Sequence, residues 1–437
     1  MPPLRPALAA LLLAGPAAAQ GLDVLPVPSV LETATLTEED GDADGDDPAF
    51  WVDSEDPART LVVTAVKNGG IRVYDLGGQE MQAIAGRPGA GGEDDPDGRI
   101  NNVDVVYGMA LPDGTSIDVV LASDRGLDVL RVFRVDAAGL TEITAPDHGR
   151  AFPVAPDPAG GADLDNPLPE QMTIYGIAGW VDADGTVWAV GTQRTNPRLG
   201  IFRLTAHADG TVSSEMVHDV RVPFEFRGQD LTVESDEDPA QDWSPQFEGV
   251  AVDEASGTIY AGQEDVGVWR VDAATGAIDA EPLVTTRGVA GSPFRDESSV
   301  IARDLEGLAV VDGGTERFLL VSSQGGAHGD TPLPEPPYDD SFAVFAIGAD
   351  GGLAHRGSFR VEATEGRDAV QESDGADVLP TALPGFPNGL LVVQDGYDDD
   401  LNGMDGEVAS TNFKFVDWGV VTEALGLPAN PAHDPRS

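Results

Sequence analysis

Six short runs in this 437-residue chain open with a carboxylate or a phenol and pass directly into an apolar or β-branched stretch. They begin at Asp47, Tyr107, Tyr175, Glu248, Glu306 and Asp374, spaced 60, 68, 73, 58 and 68 residues apart. If the units close around an axis, these oxygen-bearing side chains converge on one face. Gathered carboxylates are the ligands of a hard cation such as calcium, which takes roughly 6–8 oxygens. The expected chemistry is therefore cation binding, with the phenols as hydroxyl donors beside it.

The elements that must position these residues are strands. In the clearest unit, Glu248 to Asp253, Thr258 to Gly262 and Val266 to Asp272 are alternating or β-branched runs divided by Gly, Asp and Ser turns, the pattern of an antiparallel meander. No long stretch keeps a helical period. About 65 residues per unit suits one blade with its loops, and six units fall within the usual range of about 4–8 blades. The expected fold is all-β, a six-bladed β-propeller of four- to five-stranded antiparallel blades over residues 32–425. A segment at 20–31 precedes it and a tail at 426–437 follows, with no second domain. An extra strand between Val24 and Leu36 is expected to close the ring on the last blade, and 86–98, 155–170 and 331–340 read as surface loops.

Composition narrows the partners. The chain holds 25 Lys and Arg against 76 Asp and Glu, a net charge of −51, and Lys67 and Lys414 are its only lysines. Such a surface repels nucleic acid and anionic membranes, so neither is expected as a partner, and a monomer is. Arg5, the apolar run 7–14 and Ala17-Ala18-Ala19 form a secretory leader pattern cleaved after Ala19, which predicts a periplasmic or secreted protein. Cysteine is absent, so bound metal rather than disulfides would brace an exported chain.

Several motifs fail on their own terms. Asp40 to Gly45 imitates the start of an EF-hand loop, but position twelve is Trp51, where a bidentate Glu is required. His148-Gly149-Arg150 lacks the arginine that a histidine phosphatase needs in place of Asp147. No histidine pair has zinc-ligand spacing, and no nucleophile elbow or P-loop is present. Lys414, between Phe413 and Phe415, reads as a residue that snorkels from a strand.

Nine motifs in order carry a resemblance: Asp46-Asp47-Pro48-Ala49-Phe50-Trp51, Asn101-Asn102-Val103-Asp104, Phe247-Glu248-Gly249, Glu264-Asp265, Asp304-Leu305-Glu306-Gly307-Leu308, Ser322-Ser323-Gln324-Gly325, Asp374-Gly375, Gln394-Asp395-Gly396 and Asn412-Phe413-Lys414. Together they resemble the β-propeller phytases. That resemblance implies a calcium-dependent enzyme removing phosphate from myo-inositol hexakisphosphate as its calcium salt, through attack by a water held on calcium. It implies calcium ligands at Asp47, Glu248, Glu264, Glu306, Gln324, Asp368 and Asp374; Asp46 and Asp104 lie beside them and count with the metal site. Lys67, Arg125, Tyr175 and Arg194 would contact phosphate, as would Asp398, and Lys67, Arg125, Tyr175 and Glu248 would be catalytic. The chain departs from the family pattern at Asn68, where a second lysine is usual, and at Arg194, where the family has lysine.

Physical chemistry agrees with this picture. A chain of charge −51 repels a polyphosphate unless divalent ions bridge the two. Ions of that kind offset phosphoryl charge, a carboxylate can take the water's proton, and a guanidinium matches phosphate with its planar fork. Two other functions suit the same fold: a calcium-dependent lactonase or esterase, and a non-catalytic binding propeller whose acidic residues are structural.

Overall fold

Every unit becomes a small antiparallel sheet because its apolar residues alternate with turns too short for a helix. A computed structural model describes residues 23–37, 40–41, 43–89, 96–235, 238–324, 335–397 and 410–436. The expected leader at 1–19, the first four residues of the predicted loop 331–340 and Asp398 lie outside the described residues. Blade one is Pro48–Trp51, Leu61–Ala65, Ile71–Tyr74 and Glu80–Ile84. Blade two is Ile100–Ala110, Ser116–Asp124, Val129–Asp136 and Gly139–Glu142, and blade three is Ile174–Val181, Val187–Gln193, Arg198–Ala206 and Val212–Arg221. Blade four is Phe247–Asp253, Thr258–Gln263, Gly267–Asp272 and Val284–Thr285. Blade five is Leu305–Asp312, Arg317–Ser323, Ser341–Ile347 and Leu353–Glu362, and blade six is Ala376–Leu379, Leu390–Asp395 and Ser410–Asp417.

The core is distributed around the ring. Six apolar clusters fill the six gaps between neighbouring blades, including the gap between blade six and blade one. The first strands face the axis and the later ones lie outward. The short helix Trp418–Leu425 then packs on blades five and six, capped by the Asp417 side chain and ended by Gly426 at φ +64°.

Ring closure uses the N-terminal segment more fully than the sequence suggests. Val24–Pro28, expected to precede the propeller, runs parallel to Leu353–Glu362 as a fifth strand of blade five. Leu31–Glu32 then pairs antiparallel with Phe415 and Lys414, and Leu36–Thr37 with Thr411 and Ser410, supplying the outer strand that blade six lacks. Lys414 does not snorkel. It is fully buried, with Nζ at 3.0 Å from Glu32 Oε2 and 2.9 Å from Asp395 Oδ2 and also paired with Asp368. A buried ammonium needs such partners to offset its desolvation, and here they join the closing strand to the blade.

Glycines let the inner strands crowd the axis. A Cβ on Gly176 would meet Glu248 O at 1.9 Å, one on Gly249 would meet Glu306 O at 1.9 Å, and one on Gly375 would meet Asp47 Oδ1 at 1.9 Å. The acidic or phenolic residue before each glycine is thereby brought against its neighbour in the next blade. Gly249→Ala should therefore lower stability by about 1–3 kcal/mol or more through overpacking, read as a fall in melting temperature; an unchanged melting temperature would refute this account of the spacing.

Candidate metal and anion site

Three positions of blades two to five furnish the mouth of the channel. The residue just before the first strand is Arg99, Thr173, Gln246 or Asp304 in blades two to five. The residue just after the second strand is Arg125, Arg194, Glu264 or Gln324, and its backbone N–H donates to the carbonyl of the first position at 2.8, 2.9, 3.2 and 3.0 Å respectively. Between them the first strand carries a β-bulge, with register shifts at 100/103, 174/177, 247/250 and 305/308. The first bulged residue is Asn101, Tyr175, Glu248 or Glu306. A bulge re-aims a side chain without ending the strand, so these four turn together toward the mouth.

This equivalence corrects the sequence-based register of blade two. Its member of the ring is Asn101, not Tyr107. Tyr107 lies further along the same strand, where its hydroxyl donates to Phe50 O at 2.8 Å and accepts from Val52 N at 3.1 Å. It ties blade two to blade one and takes no place at the mouth.

Three of the expected carboxylates come together, and Asp374 lines the same cavity. Glu248, Glu264 and Glu306 are all buried and place carboxylate oxygens within 4.8 Å of one another. They line a cavity of about 560 Å3 together with Tyr175, Arg194, Gln324 and Asp374. Asn101 Nδ2 donates to Glu248 Oε1 at 2.8 Å and Gln246 Nε2 donates to Glu264 Oε1 at 2.5 Å. Glu306 Oε2 and both carboxylate oxygens of Asp46 are buried with no hydrogen-bond donor. Burial pushes Asp46, Asp47 and Glu306 well above the ordinary carboxylate range, and the charge of Glu248 acts the same way on all three. Burial likewise raises Asp374 to about 7 despite the opposing charge of Lys67. Crowded acceptors without donors, whose charging is opposed by one another, suit an oxygen-ligated divalent cation.

Cations occupy the adjoining rim. Lys67 takes φ +41° in the turn after the second strand of blade one, held by Gly69 N donating to Val66 O at 2.8 Å and Gly70 N to Lys67 O at 3.0 Å. Its Nζ lies 2.8 Å from Asp374 Oδ2, 2.9 Å from Asp44 Oδ2 and 3.6 Å from Asp46 Oδ2. Asp374 also accepts from Gln324 Nε2 at 2.6 Å, so it joins the ammonium rim to the carboxylate group. Arg125 Nη1 donates to Asn101 Oδ1 at 2.6 Å, and its guanidinium lies over the Tyr175 ring at 5.3 Å. Burial, followed by the charge of Glu248, holds the Tyr175 hydroxyl well above its ordinary value, which keeps it a proton donor. Arg194 lines the cavity with its Nε buried and without a hydrogen-bond partner.

Two expected metal residues stand elsewhere. Asp104 accepts from Val105 N at 2.7 Å and Gly179 N at 2.6 Å, and it lines a channel cavity of about 190 Å3 with Asp47, Asp377 and Glu254. Asp368 is engaged by Lys414, a different partner from the calcium that the resemblance implies. Asp44, Asn101 and Gln246 were given no role on sequence grounds, yet they hold Lys67, Arg125 with Glu248, and Glu264 respectively. Their signal was positional: Asn101 and Gln246 occupy the repeat positions at the start of the inner strand.

Fold and site together define a six-bladed propeller whose mouth gathers buried carboxylates beside Lys67, Arg125 and Arg194. The chain belongs to the phytase family, whose profile matches residues 4–153 and 233–435. It is similar to the 3-phytase of Bacillus subtilis (strain 168), with 25% identity over 394 residues, covering 88% of this chain and 82% of that relative. Tyr175 and Arg194 fall between the two matched spans, so their place at the mouth rests on the blade geometry.

The raised carboxylates set a pH dependence. In the ion-free chain Asp374 and Asp104 are raised to about 7 and Asp377 to about 6, by burial first in each case. Unfolded, each would titrate near ~4, so the folded chain holds protons that the unfolded chain has lost. Their stabilising contribution is full below that value and is lost as pH rises through about 7. In chelator, the melting temperature should fall between about pH 4 and about pH 7, and calcium should flatten the fall. A rise across that window in chelator would contradict the assignment.

Proposed function

We propose that this protein is a calcium-dependent phosphomonoesterase that hydrolyses phytate, as its calcium salt, to lower inositol phosphates and inorganic phosphate. The observation that carries this reading is the meeting of Glu248, Glu264 and Glu306 within 4.8 Å beside the Lys67 and Arg125 rim. The family match and the similarity to a 3-phytase support the substrate. The leader pattern at residues 1–19 supports export, and among the described residues no helix is long and apolar enough to cross a membrane.

Asp46, Asp47, Glu248, Glu264, Glu306, Gln324 and Asp374 would hold calcium. When bound, calcium supplies positive charge that offsets the phosphoryl oxygens and acidifies water. Lys67 and Arg125 bind the phosphoryl group under attack and stabilise the charge that spreads over its oxygens. Glu248, steadied by Asn101, takes the proton of the attacking water. The Tyr175 hydroxyl donates to a phosphoryl oxygen, and Arg194 holds a neighbouring phosphate across the cavity. The bond from phosphorus to the inositol oxygen breaks as the bond to water oxygen forms, and the departing inositol oxygen takes a proton from solvent water.

Complete chelation should abolish phosphate release from calcium phytate, and readdition of calcium should restore it; release that survives chelation would sink the mechanism. Failure to release phosphate with calcium present would favour the lactonase or binding-propeller reading. Lys67→Ala should lower turnover by well over ~10-fold while circular dichroism shows an intact fold. Unchanged turnover would remove Lys67 from the site.

A further inference from the structure

We propose that Arg99 is a further phosphate-binding residue of this mouth, holding an ester phosphate beside the one under attack. Its identity as a phytate contact rests on the function proposed above; its role as an anion contact rests on the geometry alone. Arg99 occupies the position before the first strand in blade two, and its counterparts Gln246 and Asp304 in blades four and five both line the 560 Å3 cavity. Its carbonyl accepts from Arg125 N at 2.8 Å, which fixes the two arginines side by side.

The guanidinium lacks a matched anion. Nη2 lies 3.9 Å from Asp44 Oδ2, beyond hydrogen-bond reach, and that oxygen is already 2.9 Å from Lys67 Nζ. Nη1 donates to the neutral amide oxygen of Asn68 at 3.3 Å, and Nε is buried with no hydrogen-bond partner. Arg125 is similarly placed, with Nη1 on the neutral Asn101 and Nε also without a partner. Lys67 and Arg99 thus share Asp44, and Arg125 stands beside Arg99, in a chain whose net charge is −51. Burial, then the charge of Arg125, pushes Arg99 below its ordinary value, so the neighbouring cations work against its charge. Desolvated charged donors are costly unless an acceptor reaches them, and phosphate oxygens match the guanidinium fork. The side chain is 26% exposed, open enough for a ligand to approach.

The alternative is that Arg99 merely braces Asp44, a contact of the kind worth little at a partly exposed site. Calcium-loaded Arg99→Gln and Arg99→Lys separate the two. Losing charge-assisted hydrogen bonds should raise KM for calcium phytate by about tenfold or more in Arg99→Gln, with the loss in kcat/KM falling mainly on KM. Arg99→Lys should recover part of it. The melting temperature and the calcium midpoint should stay at wild-type values. An unchanged KM with a lowered melting temperature would make Arg99 a brace and overturn the proposal; so would an unchanged KM in Arg99→Lys should Arg99→Gln fail to fold. If the wild-type protein releases no phosphate from phytate, the proposed function falls. Arg99 is then judged by calorimetric binding of inorganic phosphate: tenfold weakening in the variants supports it, and equal affinity overturns it.

Discussion

Repulsion among buried carboxylates is the constraint around which this molecule is organised. Glu248, Glu264 and Glu306 meet at the mouth, with Asp46, Asp47 and Asp374 adjoining them, and burial already opposes the charging of Asp46, Asp47, Glu306 and Asp374. Coulomb energies grow steeply as water is excluded, so this arrangement is stable when fully charged only if cations enter it. Lys67 supplies one, shared among Asp44, Asp46 and Asp374. The remaining charge suits divalent ions, and under the function proposed above several of them would offset the carboxylates and bridge to the oxygens of an anionic substrate.

The fold exists to hold that repulsion in place. Bulges at the start of the inner strands turn one residue per blade toward the mouth, and the glycine after it allows the next blade to come close. Strands pushed toward the axis must be prevented from opening outward. The N-terminal strands do this by completing blade six, with Lys414 buried among Glu32, Asp368 and Asp395 at the join. The blades supply geometry, and the closing strand supplies resistance.

Much of this was legible in the sequence, because a repeat near 65 residues and a recurring acidic or phenolic opening are both spelled locally. The blade count, the all-β class and the meeting of Glu248 with Glu306 followed from it, whereas Glu264 entered only through the resemblance. Blade two misled: Tyr107-Gly108 copies the spelling of Tyr175-Gly176, whereas the true counterpart, Asn101-Asn102, has no glycine and reveals itself only through the bulge. Lys414 misled for another reason, since Glu32 is 382 residues away in sequence and Asp368 is 46. Long-range ion pairs leave no local pattern. Asp44 and Arg99 escaped notice likewise, being defined by what surrounds them.

The central claim is that cations invert the charge of this mouth so that a polyanion can bind. Equilibrium binding of inositol hexasulfate, which resists hydrolysis, tests it without reference to turnover. The account predicts no measurable binding in chelator and saturable binding that strengthens as calcium is added. Binding of equal strength with and without calcium would contradict it.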